Sequence, residues 1–320
     1  MFRTARSSRT SLVVAAASLI AMTACKTETD ESGGRPSEKT AQPVPVSTSS
    51  TTTDTRKPEP PKHELTTVVS DASFKDGEVA FRERRYAEAT KVFTDYTASH
   101  QTSPYAQYML GLSAWKSGDL VVAESALTES VKLDPTNVKA QLNLARVLLD
   151  AGRPKDAKKY VSKALVLDSS SSDGNRLMGR VHTALKENDE AIVSFRLALK
   201  SDPTDSWSMN NLALIMIQQG KYSDAIAPLA RATTLTPGVA VFHNNLGIAL
   251  EHVGQYTLAS AEYQGALSAD STYTKALMSL ARIKNLKDDP KASVLDLAKL
   301  GDEFDKDVRG GKVGVDLVKR

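Results

Sequence analysis

Six alanines stand 34 residues apart in this chain: Ala89, Ala123, Ala157, Ala191, Ala225 and Ala259. Self-similarity at that period is the sequence sign of stacked helical hairpins, and few other folds tolerate it. Other positions keep the same beat. Twelve residues before each alanine comes a small residue, namely Gly77, Gly111, Ala145, Gly179, Ala213 and Gly247, and the series runs on to Ala281. Four residues after each alanine comes a large apolar one: Phe93, Leu127, Val161, Phe195, Leu229 and Tyr263. Each unit holds two helical patterns. In the fifth, Trp207 to Gln219 and Ser223 to Leu235 are separated by Gly220-Lys221, a helix stop followed by a restart. The small residue on the first helix lets the second approach. The alanine and the large residue, at i and i+4 spacing, fill the gap between them. Pro135, Pro203 and Pro237 close their units because proline lacks a donor and clashes inside a helix. One hairpin cannot bury its apolar face alone, so neighbours must stack.

The ladder resembles the tetratricopeptide repeat family. Unit five carries the resemblance most fully, in Leu212-Ala213, Met216, Gly220, Tyr222, Ala225, Leu229, Ala232 and Pro237. The resemblance covers residues 70–273 as six units without an insertion, and Thr274 to Leu286 adds a seventh first helix. It implies an all-α, right-handed solenoid of about six helix-turn-helix repeats. Ala292 to Phe304 reads as a capping helix over the exposed end of the stack, within a partial repeat and cap at 274–305. Residues 306–320 read as a flexible tail. Two departures carry expectations. Lys186 stands where unit four needs its turn glycine, and Pro228 inside a predicted helix should kink or shorten it.

Before the repeats lie two segments of different character. Residues 1–24 have a basic start at Arg3, Arg6 and Arg9 and an apolar run from Leu12 to Met22 too short to span a bilayer stably, the pattern of a secretory leader. Without those residues the formal charge of +3 falls to zero, so no basic field remains to attract nucleic acid. The single cysteine, Cys25, excludes an internal disulfide and a Cys-based zinc site. Met22-Thr23-Ala24-Cys25 resembles the lipobox of bacterial lipoproteins, although Met22 departs from the preferred leucine. That resemblance implies cleavage before Cys25, acylation of its thiol and new amino group, and membrane anchoring by several acyl chains. Cleavage at Ala24 as in an ordinary signal peptide is the competing reading. Lys26, where an inner-membrane protein of this class carries aspartate, points to an outer-membrane lipoprotein facing the periplasm. Residues 25–69 are rich in Ser, Thr and Pro, with almost no apolar surface to offset the entropy of ordering, and read as a disordered tether. As a flexible coil such a tether spans about 35 Å.

In the resembled family the first helix of each unit lines a concave groove. Asn143, Asn211 and Asn245 share one position on it in units three, five and six, with Asn210 and Asn244 just before two of them. An asparagine offers donor and acceptor together and can pair with the backbone of an extended peptide. The competing reading is that these side chains bridge adjacent helices. Lys139, Arg146, Arg176, Arg180, Lys275 and Arg282 fall on the same face and favour acidic or backbone-rich segments. Tyr105, Tyr108 and Trp115 offer either an aromatic anchor or a stack between units one and two.

Nothing in the pattern reads as catalytic. His243 and His252 lie nine apart on one helix with no carboxylate at metal spacing, and no phosphate loop or nucleophile set stands out. The expectation is a non-enzymatic scaffold without cofactor or metal, lipid-anchored at Cys25. It would bind a protein or peptide partner through Asn143, Arg146, Arg180, Asn210, Asn211, Asn244 and Asn245. Assisting an envelope machine such as a type IV pilus secretin is one role the resemblance implies. Adaptor work for cell-wall enzymes or outer-membrane protein assembly is another. An enzyme using the repeats for substrate docking would need a further domain.

Overall fold

The computed structural model describes residues 71–288, 290 and 293–311. The leader, Cys25, the tether and the last nine residues of the tail lie outside that range. The described residues form fourteen α-helices and no strand. In order these are α1 (Asp71–Arg82), α2 (Tyr86–Ser99), α3 (Pro104–Ser117), α4 (Leu120–Leu133), α5 (Val138–Asp150), α6 (Pro154–Leu167), α7 (Ser172–Ala184), α8 (Asn188–Ser201), α9 (Ser206–Gln218), α10 (Tyr222–Leu235), α11 (Ala240–His252), α12 (Tyr256–Ala269), α13 (Thr274–Ile283) and α14 (Leu297–Arg309). The first twelve are six hairpins on the 34-residue beat.

The alanine ladder is the inside of each hairpin. Ala89, Ala123, Ala157, Ala191, Ala225 and Ala259 have no exposed surface. The small residue on the first helix makes room for the large side chain of the second rather than for its backbone alone. A Cβ on Gly247 would stand 2.5 Å from the Tyr263 ring, and one on Gly179 would stand 2.6 Å from the Phe195 ring.

Each hairpin turns through one left-handed residue. Gly118, Gly152, Gly220 and Gly254 hold it in four units, but Arg84 holds it at φ 62° and Lys186 at φ 64°. The amide after each turn residue closes back to the carbonyl five residues earlier, as Lys221 does to Met216 at 2.9 Å and Glu187 to His182 at 2.9 Å, the closure that ends a helix on a left-handed residue. This backbone geometry explains why α2, α6, α8, α10 and α12 begin without any side-chain cap. Between units an Asx turn recurs, with Asp134, Asp168, Asp202 and Asp270 accepting from the amides of Thr136, Ser170, Thr204 and Thr272.

Each first helix touches the first helix of the next unit, whereas no second helix touches the next second helix. First helices therefore crowd the inner side of the array and second helices splay on the outer side.

Three expectations need correction. Pro228 lies inside α10, which keeps the 14 residues of the other second helices and is not shortened. The seventh first helix stops at Ile283, three residues short of Leu286. The closing helix runs from Leu297 to Arg309, later at both ends than the apolar pattern indicates and into the segment read as tail. It also lies elsewhere than the end of the stack. Beyond α13 the chain turns back, Asp288 accepts the Thr257 amide at 2.8 Å, and the Ser293 carbonyl accepts from Gln255 at 2.9 Å. Helix α14 then lies on the outer side, against α10 and α8 alone among the helices. The end helix keeps Leu277 and Met278 exposed at 49% and 66%.

Candidate functional site: the inner face of the first helices

The inner face divides into three stretches. At the start, Phe74 gathers Phe93, Tyr96 and Tyr105 with ring centroids 5.1, 4.9 and 5.7 Å away. Tyr105 also faces Tyr108 at 6.4 Å and donates to Glu78. These rings join units one and two, while Tyr105 stays half exposed. Trp115 stands apart from them and donates to Asp150 of unit three at 2.7 Å.

From unit two to unit five a polar seam follows. Asn143 donates to Tyr108 Oη at 3.0 Å and accepts from Arg146 at 2.6 Å. Arg146 reaches Asp173 of the next unit, Arg176 donates to Asp173 at 2.9 Å, and Arg176 also donates to Asp205 at 2.9 Å. Burial pushes the Asp173 carboxyl upward, but Arg146 and Arg176 outweigh it and hold its pKa below the usual 3.8. Asp205 is buried and works twice over. It caps α9 through the Ser208 amide at 3.1 Å and accepts the Ser208 hydroxyl at 2.7 Å while holding Arg176 of unit four.

Units five and six change character. The register that holds Arg146 and Arg180 in units three and four holds Leu214 and Ile248 here, and the register of Trp115 holds Ile217. Asn245 donates to Asn210 Oδ1 at 2.8 Å, and both are buried. Asn244 is buried with its Oδ1 unpaired. Asn211 is part-exposed, and its side chain makes no hydrogen bond to any described residue. At the far edge Glu251 accepts from Arg282 at 2.7 Å and from the Tyr263 hydroxyl at 2.7 Å. Burial and that carboxylate push the Tyr263 phenol well above its ordinary range.

The asparagines and arginines proposed for partner binding are thus in different situations. Asn143, Arg146, Asn210 and Asn245 bridge neighbouring units. Arg180 is part-buried one unit on from Arg146, and Asn211 is part-exposed in the unit where the register of Arg146 and Arg180 becomes apolar. Sequence reasoning did not identify the acidic partners. Glu78, Asp150, Asp173, Asp205 and Glu251 each sit about one unit from the group they hold, so a search for complementary residues at 27 to 35 residues' separation would have found them.

The sequence shows no carboxylate at metal spacing from His243, and the carboxylate that meets it comes from the second helix of the same unit. Glu262 of α12 stands 2.8 Å from its Nδ1, and the Pro237 carbonyl lies 3.0 Å from Nε2. Those contacts, led by Glu262, hold the imidazole pKa above 6.5 against burial. No three of His, Cys, Asp and Glu converge on a metal-sized site among the described residues, and none of the described helices is long and apolar enough to cross a membrane.

Comparisons with known proteins agree with this geometry. Models described as tetratricopeptide repeat match residues 74–138, 114–181, 177–205 and 194–227. The hairpin of α11 and α12 beyond them repeats the same packing. Protein O-mannosyl-transferase Tmtc3 of Drosophila melanogaster is 27% identical over 144 residues, covering 45% of this chain and 16% of that protein. Hsp70-Hsp90 organizing protein 1 of Glycine max is 30% identical over 96 residues, covering 30% of this chain and 17% of that one. The chain thus spans less than a fifth of the length of these curated relatives. Among solved structures, that titled as a functional characterization of Pseudomonas aeruginosa pilF superposes with a TM-score of 0.52 at 22% identity, covering 65% of this chain and 87% of that one, a likeness of fold.

Proposed function

We propose that this tetratricopeptide-repeat array is a non-catalytic protein-interaction scaffold that grips an extended segment of a partner protein in units five and six. One observation carries this reading. Asn211 is a part-exposed amide with no side-chain hydrogen bond to any described residue, on the same first-helix side as Leu214, Ile217 and, one unit on, Ile248. Such a surface pairs with a peptide backbone through the amide and takes apolar side chains beside it. The cations of units three and four are poorer candidates for an acidic ligand, because Arg146 and Arg176 already hold carboxylates.

The finer assignment extends the reading to residues outside the described range. Met22-Thr23-Ala24-Cys25 supports acylation at Cys25, with Lys26 favouring the outer membrane and residues 26–69 acting as a leash. In that setting the scaffold assists an envelope machine such as a type IV pilus secretin, with adaptor work for cell-wall enzymes or outer-membrane protein assembly as the other role.

A photocrosslinking residue at Asn211 in the native host tests the groove, with Ser162 on the outer side of α6 as control. One dominant partner captured from Asn211 alone is expected. Equal capture at both sites would refute the groove. Cys25→Ala should move the protein from the membrane to the soluble fraction, and retention in the membrane would remove the anchor. Loss of secretin multimers in a deletion strain is expected for the pilus role, whereas altered cell shape with pili intact selects the cell-wall role.

A further inference from the structure

Helix α14 covers a part of the outer side that stays bare elsewhere. The register holding Thr94, Thr128, Ser162 and Gln264 is exposed in units one, two, three and six. In units four and five the same register holds Arg196 and Ala230, which are only 8% and 3% exposed. The element that distinguishes these two units is α14, which packs on α8 and α10. Its apolar stripe is Leu297, Leu300, Gly301, Phe304 and Val308, joined to the core of units four to six. A Cβ on Gly301 would stand 3.2 Å from the Arg231 backbone nitrogen, so the two helices cross at close approach.

The polar groups of this contact are incompletely matched. Arg231 pairs with Asp305 at 3.2 Å and with Asp302 at 3.6 Å, yet its Nε lacks a partner. Arg196 is worse served. Its Nε and Nη1 are buried without a hydrogen-bond partner among the described residues, and burial lowers its pKa. Guanidinium nitrogens removed from water and left unpaired oppose the docking that buries them. The site therefore contains two cations, and α14 supplies carboxylates to one of them.

We propose that the outer face of α8 and α10 is a second protein-binding surface, which takes an acidic amphipathic helix of a partner, and that α14 is its resident occupant, displaced in exchange. The incoming helix offers a small residue at the crossing beside Ala230 and Arg231, an apolar stripe like that of α14, and a carboxylate for Arg196 in addition to those for Arg231. This surface is separate from the inner groove, and its test is independent of that reading.

The test uses the full chain and fluorescent peptides of residues 293–311. In Gly301→Leu the added side chain should undock α14, read as lost hydrogen-exchange protection in residues 297–309, and the wild-type peptide should then bind at least about tenfold tighter than to the unaltered chain. Asp302→Lys with Asp305→Lys is a second way to release α14. Protection unchanged in both variants would make α14 a fixed part of the fold and overturn the proposal, as would release without peptide binding. A peptide carrying Lys306→Glu and Arg309→Glu should bind the unaltered chain about tenfold tighter than the wild-type peptide, a preference that Arg196→Gln should abolish. Equal binding of the two peptides would overturn the role of Arg196. A concentration-dependent dimer of the unaltered chain would assign the surface to a second copy and overturn exchange with a partner.

Discussion

Units three and four and units five and six share one hairpin but present opposite inner surfaces. In the first pair the inner face is a closed polar seam in which Asn143, Arg146, Asp173, Arg176 and Asp205 satisfy one another. In the second pair the face is apolar, and its asparagines are divided between a buried pair and the uncommitted Asn211. The same repeat can therefore use inner-face polar residues to join units or to offer a surface, and spacing alone does not say which. What decides is whether the neighbouring unit brings a partner to the right height.

Removing one member of the seam is the strongest way to break that contrast. Asp205→Ala takes one of its two carboxylates from Arg176 and the cap from α9, and should cost about 3 kcal/mol, read by urea unfolding of the full chain. A loss under about 1 kcal/mol would mean that the seam is decoration. In the apolar pair the corresponding test is Asn210→Leu, which strands the buried Asn245 amide and should cost about 2 kcal/mol. Adding Asn245→Leu should restore most of it, whereas a doubly substituted chain that loses the sum of the two single losses would show that the pair has no coupling.

The turns sharpen the comparison on a smaller scale. Lys186→Gly relieves a side chain in the left-handed region and should stabilise unit four by about 1 kcal/mol. Gly220→Ala should do the reverse in unit five, both read as shifts in thermal midpoint.

The smallest effect is one of pH, with opposite signs in the two regions. The folded pKa of Asp173 lies below 3.8, so its contribution is present above that value and is lost as pH falls through the lower folded one. The folded pKa of His243 lies above 6.5, so its contribution is present below 6.5 and is lost as pH rises through the folded one. Hydrogen exchange should show unit four loosening in acid and unit six loosening in mild base. His243→Gln should flatten only the second response.

The hairpins were legible because everything that makes them is local and recurs. Small residue, alanine, large apolar residue and turn lie within one unit, and six copies average out the exceptions. Arg84 shows the limit. Its turn lacks glycine as Lys186's does, yet only the backbone reveals that it takes the same left-handed conformation. The inner seam was half legible. Its cations and asparagines stood out by type, while their acidic partners lay in the neighbouring unit. The position of α14 was illegible because nothing local encodes it. An amphipathic stripe says that a helix must be covered and does not say by what, and the fit of Gly301 against Arg231 joins residues 70 apart in the chain.

The returning segment alters how the array holds together. In a one-dimensional stack each unit answers only to its neighbours, and unfolding frays from an end one unit at a time. Here Asp288 supplies the cap that α12 lacks, and α14 is anchored on α10 and α8. Fraying at α13 would have to unfasten a strap that reaches back across three hairpins. The carboxy-terminal part of the ladder is thus closed into a loop of contacts, and it should melt as one cooperative block while the amino-terminal units peel away singly.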